Sequence, residues 1–395
     1  MPFLSRSVFD HRFTYMLALM DRENLEALAF TSEDFVTFGT NFTLDVRVFE
    51  RPVAAVIKKD GTVFTFFNQL SSNHYKMSKE RHQCWIDDAL FYDEFPEGTN
   101  SGRLLTNWQE TFAALLGKHG LGAARIGVEN AGGPLQNVNR FLPELSLVNV
   151  GADMKLLRAV KHEEEIDLMA RACKLTEWMQ DAYVANIAPG RFIQELDAEM
   201  HLLGYQKAQK LFEGDELIFR GYTLSGPASA SPHGNGARTG AVINAGDVVV
   251  NMIIPVINGL VVENERTYFC GEPGEKQREA YTAALAANQA AIQEIRTGNR
   301  VCEIENAARK QIISAGFAGH LCHRTGHGLG LLGHEWPVDM AFCDRVLMKN
   351  EVYSAEPGIY VYGLGGFRID DTVVVDTEPK VLTRSPKELE DIIIK

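Results

Sequence analysis

The spacing of apolar positions divides the chain near residue 155. Before that point, short apolar runs alternate with amphipathic stretches. Phe13, Met16, Leu17, Leu19 and Met20 fall at helical spacing, and Ala27 to Phe30 then reads as a strand. Residues 53–67 are two apolar runs around Lys59, Asp60 and Gly61, the pattern of a β-hairpin. Residues 103–120 read as a helix and residues 124–129 as a further strand. This alternation predicts an α/β domain over residues 1–155. Trp85, Phe91, Tyr92 and Phe95 read as its core rather than as a site.

From residue 156 the pattern changes. A long charged amphipathic helix is predicted from Leu156 to about Ala188, where Pro189 and Gly190 stop it. A second helix follows from Phe192 to Leu203. Residues 246–268 read as a hairpin turning at Asn258 and Gly259, a pair suited to a type I′ turn. Pairing outward from that turn puts Ile254 opposite Glu263 and Met252 opposite Glu265. Side chains alternate along a strand, so Glu263 and Glu265 share a face. Two like charges there cost stability unless something compensates them. Two helices are predicted over 276–297 and 303–316, and strands over 351–360 and 365–375. The second domain, 156–395, is thus α+β.

At 395 residues, two domains are expected. The 45% hydrophobic and 23% charged content is that of an ordinary globular protein. No apolar run approaches the ~18 residues of a membrane span. The net charge of −13 argues against a nucleic-acid partner and is compatible with a cationic one. The six cysteines are scattered, as reduced thiols of a cytoplasmic protein would be. The first residues, from Met1 to Ser7, lack the apolar core of a signal peptide. The chemistry gathers in the second half. Between His323 and Pro337, three histidines (His323, His327, His334) are threaded through Gly326, Gly328 and Gly330. His233 stands on a loop rich in Ser, Ala and Pro. With the carboxylates Glu263, Glu265, Glu356, Asp370 and Asp371, the loop histidines His233, His327 and His334 can form a divalent-cation site of oxygen ligands and imidazole, suited to Mn, Fe, Co or Zn.

The motifs Ser225-Gly226-Pro227 with Pro232-His233, Gly326-His327-Gly328 with His334-Glu335, Ser354-Ala355-Glu356-Pro357 and Gly366-Phe367-Arg368-Ile369-Asp370-Asp371 resemble those of the creatinase/aminopeptidase P/prolidase family, the "pita-bread" hydrolases. The resemblance covers the whole chain. It implies an α/β creatinase-type N-terminal domain and an α+β pita-bread catalytic domain. Metal-dependent members hold two ions with two aspartates, one histidine and two glutamates. By motif, Glu263 falls at the second aspartate, His327 at the histidine, Glu356 at the first glutamate and Asp370 at the last. The first aspartate is missing. Its place falls to Met252 in a regular hairpin, or to Asn251 if a bulge at Pro255 shifts the register.

The resemblance therefore implies one divalent metal ion at Glu263, His327, Glu356 and Asp370, where the peptidases bind two. The expected activity is hydrolysis of an amide-type C–N bond in a short peptide of Xaa-Pro type. Glu356 would take the proton of water. His233 and His334 would contact the substrate and the developing oxyanion, with Glu265 and Arg368 nearby as catalytic or substrate-binding groups. The alternative is a metal-free, creatinase-like hydrolase of a small guanidino or amidino compound, with the cation held by Glu263, Glu265 and Glu356. A non-enzymatic binding protein on the same fold is the third reading, and lyase chemistry is also known in the family. Family members are commonly homodimers. The implied partners are a small-molecule or short-peptide substrate and a second copy of the chain.

Overall fold

The structure is a computed structural model that describes residues 4–97, 102–234, 239–336 and 340–395. The first three residues, with which the leader reading begins, and Pro337 at the end of the histidine stretch lie outside them. The chain forms two compact units, Met1–Arg158 and Ala159–Lys395.

In the first unit α1 (Arg6–Glu23) leads into β1 (Ala27–Phe30), and α2 (Glu33–Thr40) follows. Next come the hairpin β2 (Ala54–Lys58) and β3 (Val63–Asn68), then α3 (Ser72–Glu80) and β4 (Asp88–Tyr92). The remaining elements are α4 (Trp108–Lys118), β5 (Arg125–Val128), β6 (Ser146–Asn149) and α5 (Gly151–Leu156). The six strands form one sheet in the order β4-β3-β2-β1-β5-β6. The hairpin turns at Gly61, whose φ of 84° is where glycine is favoured. Trp108, Phe112 and Leu116 of α4 lie buried against Phe66 and Tyr92 of the sheet. Phe95, expected in the core, is 62% exposed, because it lies in the turn just beyond β4.

The second unit opens with α6 (Glu163–Val184) and α7 (Ile193–Leu211). The helix expected from Leu156 starts seven residues later. His162 caps it: its Nδ1 accepts the Glu164 N–H, and the Glu165 carboxylate reaches back to the His162 N–H. The preceding residues bend instead through a bridge between Val160 and Glu351. The helix expected to stop at Leu203 continues to Leu211, because Gly204 is buried where a Cβ would crowd Met179.

β7 (Leu217–Ser225), β8 (Val248–Ile257), β9 (Leu260–Val261) and β10 (Asn264–Cys270) come next, then α8 (Glu275–Glu294) and α9 (Val301–Ser314). The chain closes with β11 (Val352–Ala355), β12 (Gly358–Val361), β13 (Gly365–Arg368), β14 (Asp370–Val374), β15 (Lys380–Val381) and β16 (Ile393–Ile394). Each of the last two expected strands is therefore two. One breaks at Glu356 and Pro357, because proline lacks a ladder donor, and the other breaks at Ile369. The main sheet runs β11-β14-β10-β8-β7, and β12 pairs only with β13.

The β8–β10 hairpin keeps the register read from its turn. Glu265 lies opposite Met252, and Val261 opposite Val256. The ladder opens at Val262 and Glu263, beside Pro255, but the register does not slip. The pleat then sorts the side chains of β10. Asn264 and Tyr268 bond to Thr176 and Gln180 of α6 on one face. Glu263, Glu265 and Met252 point to the other face. Asn251 goes with the α6 side, where its amide donates to Thr223 (3.0 Å).

Candidate metal centre

The carboxylates sit at the strand positions where the pleat turns them to one face. Asp370 is paired with Glu265 across β10 and β14, so the two side chains face the same way. Its neighbour Asp371 faces α6, where Arg266 (2.7 Å) and Lys387 (2.6 Å) neutralise it. The tandem aspartates are thereby split between two faces. Ser354 of β11 donates its hydroxyl to Asp370 Oδ1 (2.9 Å). Thr372 of β14 fixes the backbone of Glu263 from both sides, accepting its N–H (3.1 Å) and donating to its carbonyl (2.8 Å).

The histidine stretch forms no regular element. It runs along β11 as an irregular neighbour. The Ser354 N–H donates to His327 O (2.8 Å), the Glu356 N–H to Thr325 O (2.6 Å) and the Leu329 N–H to Val352 O (2.8 Å). This pairing sets His327 beside Glu356. It needs close backbone approach at Gly326, where a Cβ would overlap the Ser354 carbonyl. Gly326→Ala is therefore expected to displace the loop and cost at least ~100-fold in activity, the scale of a 1 Å misplacement. Steady-state kinetics beside circular dichroism would check it.

His327 is buried, and its Nδ1 lies 3.1 Å from the Gly328 carbonyl. A carbonyl only accepts, so Nδ1 carries a proton. Nε2 then faces Glu263 Oε2 at 3.5 Å and Glu356 Oε1 at 3.2 Å. Something positive must lie among these three atoms, either a proton or a metal ion. Orientation of the imidazole by a carbonyl behind it is the usual outer support of a metal-bound histidine.

The electrostatics point the same way. Burial raises the carboxyls of Glu263 and Asp370 well above the carboxylate range, and the neighbouring acids add to the effect. Burial raises Glu265 to about 7, although Arg368 pulls against it. Glu356 is instead held at about 2, because the His327 contacts outweigh its burial. Asp370 Oδ2 is buried with no hydrogen-bond donor. Glu263, His327 and His334 each offer a ligand atom within 4.8 Å of the others, and so do Glu265, Glu356 and Asp370. Crowded acids, an orphaned oxygen and a correctly turned imidazole fit a divalent cation.

His334 is exposed at the rim. Its ring stacks on His327 at 3.9 Å, and its Nδ1 accepts from Arg324 (2.7 Å), which leaves Nε2 to face the site. Burial and the nearby His327 lower it to about 4, so it is neutral at pH 7. His233 is exposed on the loop after β7; burial is the main cause that lowers His323, and the nearby His233 adds a smaller effect there and at His334. Arg368 is buried, with Nε 2.5 Å from Glu265 Oε2 and Nη2 3.2 Å from Oε1. Met252 Sδ touches the same Nη2.

The sequence reading missed a pair of groups. His323 Nδ1 lies 2.7 Å from the Arg324 carbonyl, which places a proton there. Its Nε2 then accepts the Tyr360 hydroxyl (2.7 Å), which in turn accepts Arg368 Nη1 (3.3 Å). His323 stood four residues before His327, and Tyr360 four after Glu356. The matching offsets on two backbone-paired segments were the only signal.

Two family models match the sequence. "Metallopeptidase family M24" matches residues 167–377, and "Creatinase/Prolidase N-terminal domain" matches residues 12–160. The chain is 34% identical over 237 residues to the Xaa-Pro dipeptidase of Pyrococcus furiosus. That match covers 60% of this chain and 66% of the relative, just short of two thirds of its length. The prolidase of Pyrococcus horikoshii superposes with a TM-score of 0.77 at 24% identity, over 96% of this chain and 99% of that one. The dipeptidase PepE of Mycobacterium ulcerans gives 0.79 at 25% identity, over 99% of each chain. The two-domain fold expected from the motifs is the fold found.

Proposed function

The chain belongs to metallopeptidase family M24, and from that premise we propose that it hydrolyses the peptide bond of Xaa-Pro dipeptides or short Xaa-Pro peptides with one divalent metal ion. The observation that carries the reading is His327 Nε2 aimed between the Glu263 and Glu356 carboxylates. Sequence relatives named as Xaa-Pro dipeptidases support the substrate class. They do not favour the metal-free alternative.

Glu263, His327, Glu356 and Asp370 would hold the ion, which is Mn, Zn, Fe or Co. When bound, the metal supplies Lewis acidity and lowers the pKa of water. The protein does the rest. Glu356, ionised and at the edge of the cluster, takes the proton of the attacking water. His334 turns its Nε2–H toward the substrate carbonyl, because Arg324 holds Nδ1. That bond strengthens as charge develops on the oxygen. His233, on the opposite loop, contacts the leaving side of the substrate. Glu265 and Arg368 set the field behind the acids.

Chelation is expected to remove essentially all activity on Xaa-Pro dipeptides, and added Mn, Co or Zn to restore it. Full turnover by metal-stripped protein would sink the reading. We further infer a cytoplasmic homodimer. The scattered free cysteines support the compartment, and the family resemblance supports the dimer. Among the described residues no helix is long and apolar enough to cross a membrane.

A further inference from the structure

The strand ladders of the second unit leave a gap at two of the proposed ligands. β11 and β14 pair as far as Ala355 and Asp371, and β12 and β13 pair from Gly358 and Arg368 onward. Glu356, Pro357, Ile369 and Asp370 lie in between, so no rung joins the two segments where Glu356 and Asp370 stand. The two carboxylates are close enough to repel each other, which acts to spread the segments that carry them.

A side chain from outside the sheet reaches into this gap. Asn288 lies in the second half of α8 and is wholly buried. Ala280, Ala284, Ala287 and Ala291 of the same helix are buried with it, and such small side chains let the helix come close enough for a short amide to reach the strands. Its Nδ2 donates to the Ala355 carbonyl at 2.9 Å and lies 3.5 Å from the Ile369 carbonyl, a weaker second contact. These are the carbonyls of the peptides that lead into Glu356 and Asp370. Its Oδ1 accepts from Lys387 Nζ at 2.8 Å, and the same ammonium bonds to Asp371 at 2.6 Å. A carbonyl only accepts and an ammonium only donates, so the amide has one possible orientation. An aspartate here would set acceptors against acceptors, and a leucine would take the donor away from both carbonyls.

We propose that Asn288 is a positioning residue for the metal centre: it ties the peptides that precede Glu356 and Asp370 and keeps the two carboxylates together before an ion arrives. The inference rests on the metal-dependent reading above, and it adds to the site a residue of α8, outside the segments that carry the proposed ligands. Asn288 touches neither ion nor substrate and acts through the backbone. Its contribution is preorganisation, since ligands already in place need not be gathered against their own repulsion when the ion binds. Loss of the tie is therefore expected to weaken metal binding by about 10–100-fold, the range typical of groups that support a ligand from behind.

The test is metal affinity rather than rate. Metal-free protein is titrated with Mn(II) in a calorimeter. Asn288→Leu, which roughly keeps the volume and removes the donor, is expected to bind Mn(II) at least ~10-fold more weakly than the wild type. Ile292→Ala, one turn further along α8, is the control for general loosening of the helix. It empties a buried position, and it is expected to lower the urea midpoint while leaving Mn(II) affinity at the wild-type value. Circular dichroism verifies folding of each variant. Should Asn288→Leu fail to fold, Asn288→Ser takes its place, with weakened binding again expected, because one hydroxyl cannot serve both carbonyls. Wild-type affinity in a folded Asn288 variant would overturn the inference while leaving the metallohydrolase reading intact. Equal weakening in Ile292→Ala would overturn it too, since the effect would then be that of a loosened helix. No Mn(II) uptake by the wild type would overturn both.

Discussion

His327→Ala is expected to fold, to bind no metal tightly, and to lose more than ~100-fold in kcat/KM. The loss should exceed the ~10–100-fold typical of removing a group behind a ligand, because His327 is the only nitrogen donor in the proposed ligand set. Its Nε2 is also the positive partner of Glu263 and Glu356 in the absence of metal. Removing it leaves four crowded acids facing Arg368 alone, so Glu356 loses the contacts that hold it ionised and becomes a poorer ligand. His334, stacked on the ring at 3.9 Å, loses its support as well. Elemental analysis beside kinetics decides the matter. A variant that keeps one tight equivalent and a tenth of the activity would show that the ion lies elsewhere.

Asp371→Asn carries the second large effect, and it falls on stability. Arg266 is wholly buried, and its Nη2 bonds to Asp371 Oδ1 (2.7 Å). Thr383 and Lys387 also bond to Asp371. Neutralising the carboxylate strands a buried guanidinium, which costs about 3–5 kcal/mol. Urea denaturation would show it as a lowered midpoint at unchanged slope. The pH dependence has a definite sign. Burial acts to raise Asp371, but Arg266 and Lys387 outweigh it and hold the group at about 2. An unfolded aspartate titrates at ~3.9. The unfolded state therefore binds the proton first as pH falls. The stabilisation is fully present above pH ~4, is lost as pH drops towards 2, and amounts to about 2–3 kcal/mol. Asp371→Asn should flatten that part of the stability profile. An unchanged acid limb would mean that the Arg266–Asp371 pair does not supply that stability.

The two aspartates, 370 and 371, show what the sequence makes legible and what it hides. Period-two alternation says that neighbours on a strand part company, so Asp370 and Asp371 had to face opposite ways. The Asn258-Gly259 turn set the register, and with it Met252 opposite Glu265. Turn chemistry and pleat are local, and they were readable. The start of α6 at Glu163 was misplaced by seven residues, because a histidine cap competes with a helix-compatible run before it. The partners of Asp371 and the His323–Tyr360 pair were not readable at all. They join segments distant in the chain, and nothing in one strand announces the donor that arrives from another. Arg368 reads from the sequence as a catalytic or substrate-binding group, but the sulfur that touches it belongs to β8 and enters the reading only as a missing acid.

Glu263, His327, Glu356 and Asp370 belong to the turn into β10, the loop along β11, the end of β11 and the start of β14. No two of them are joined by the same piece of regular structure. An ion held by all four would cross-link segments that otherwise meet through backbone pairing, packing and a few side-chain contacts. Its binding energy would then be folding energy, since the unfolded chain offers no such site. Free metal at a hundredfold over its dissociation constant would add about 2.7 kcal/mol to the stability of the folded state. Cellular metal supply would thus govern how long each copy survives proteolysis as well as how fast it turns over. Starvation for the ion would clear the protein rather than merely idle it.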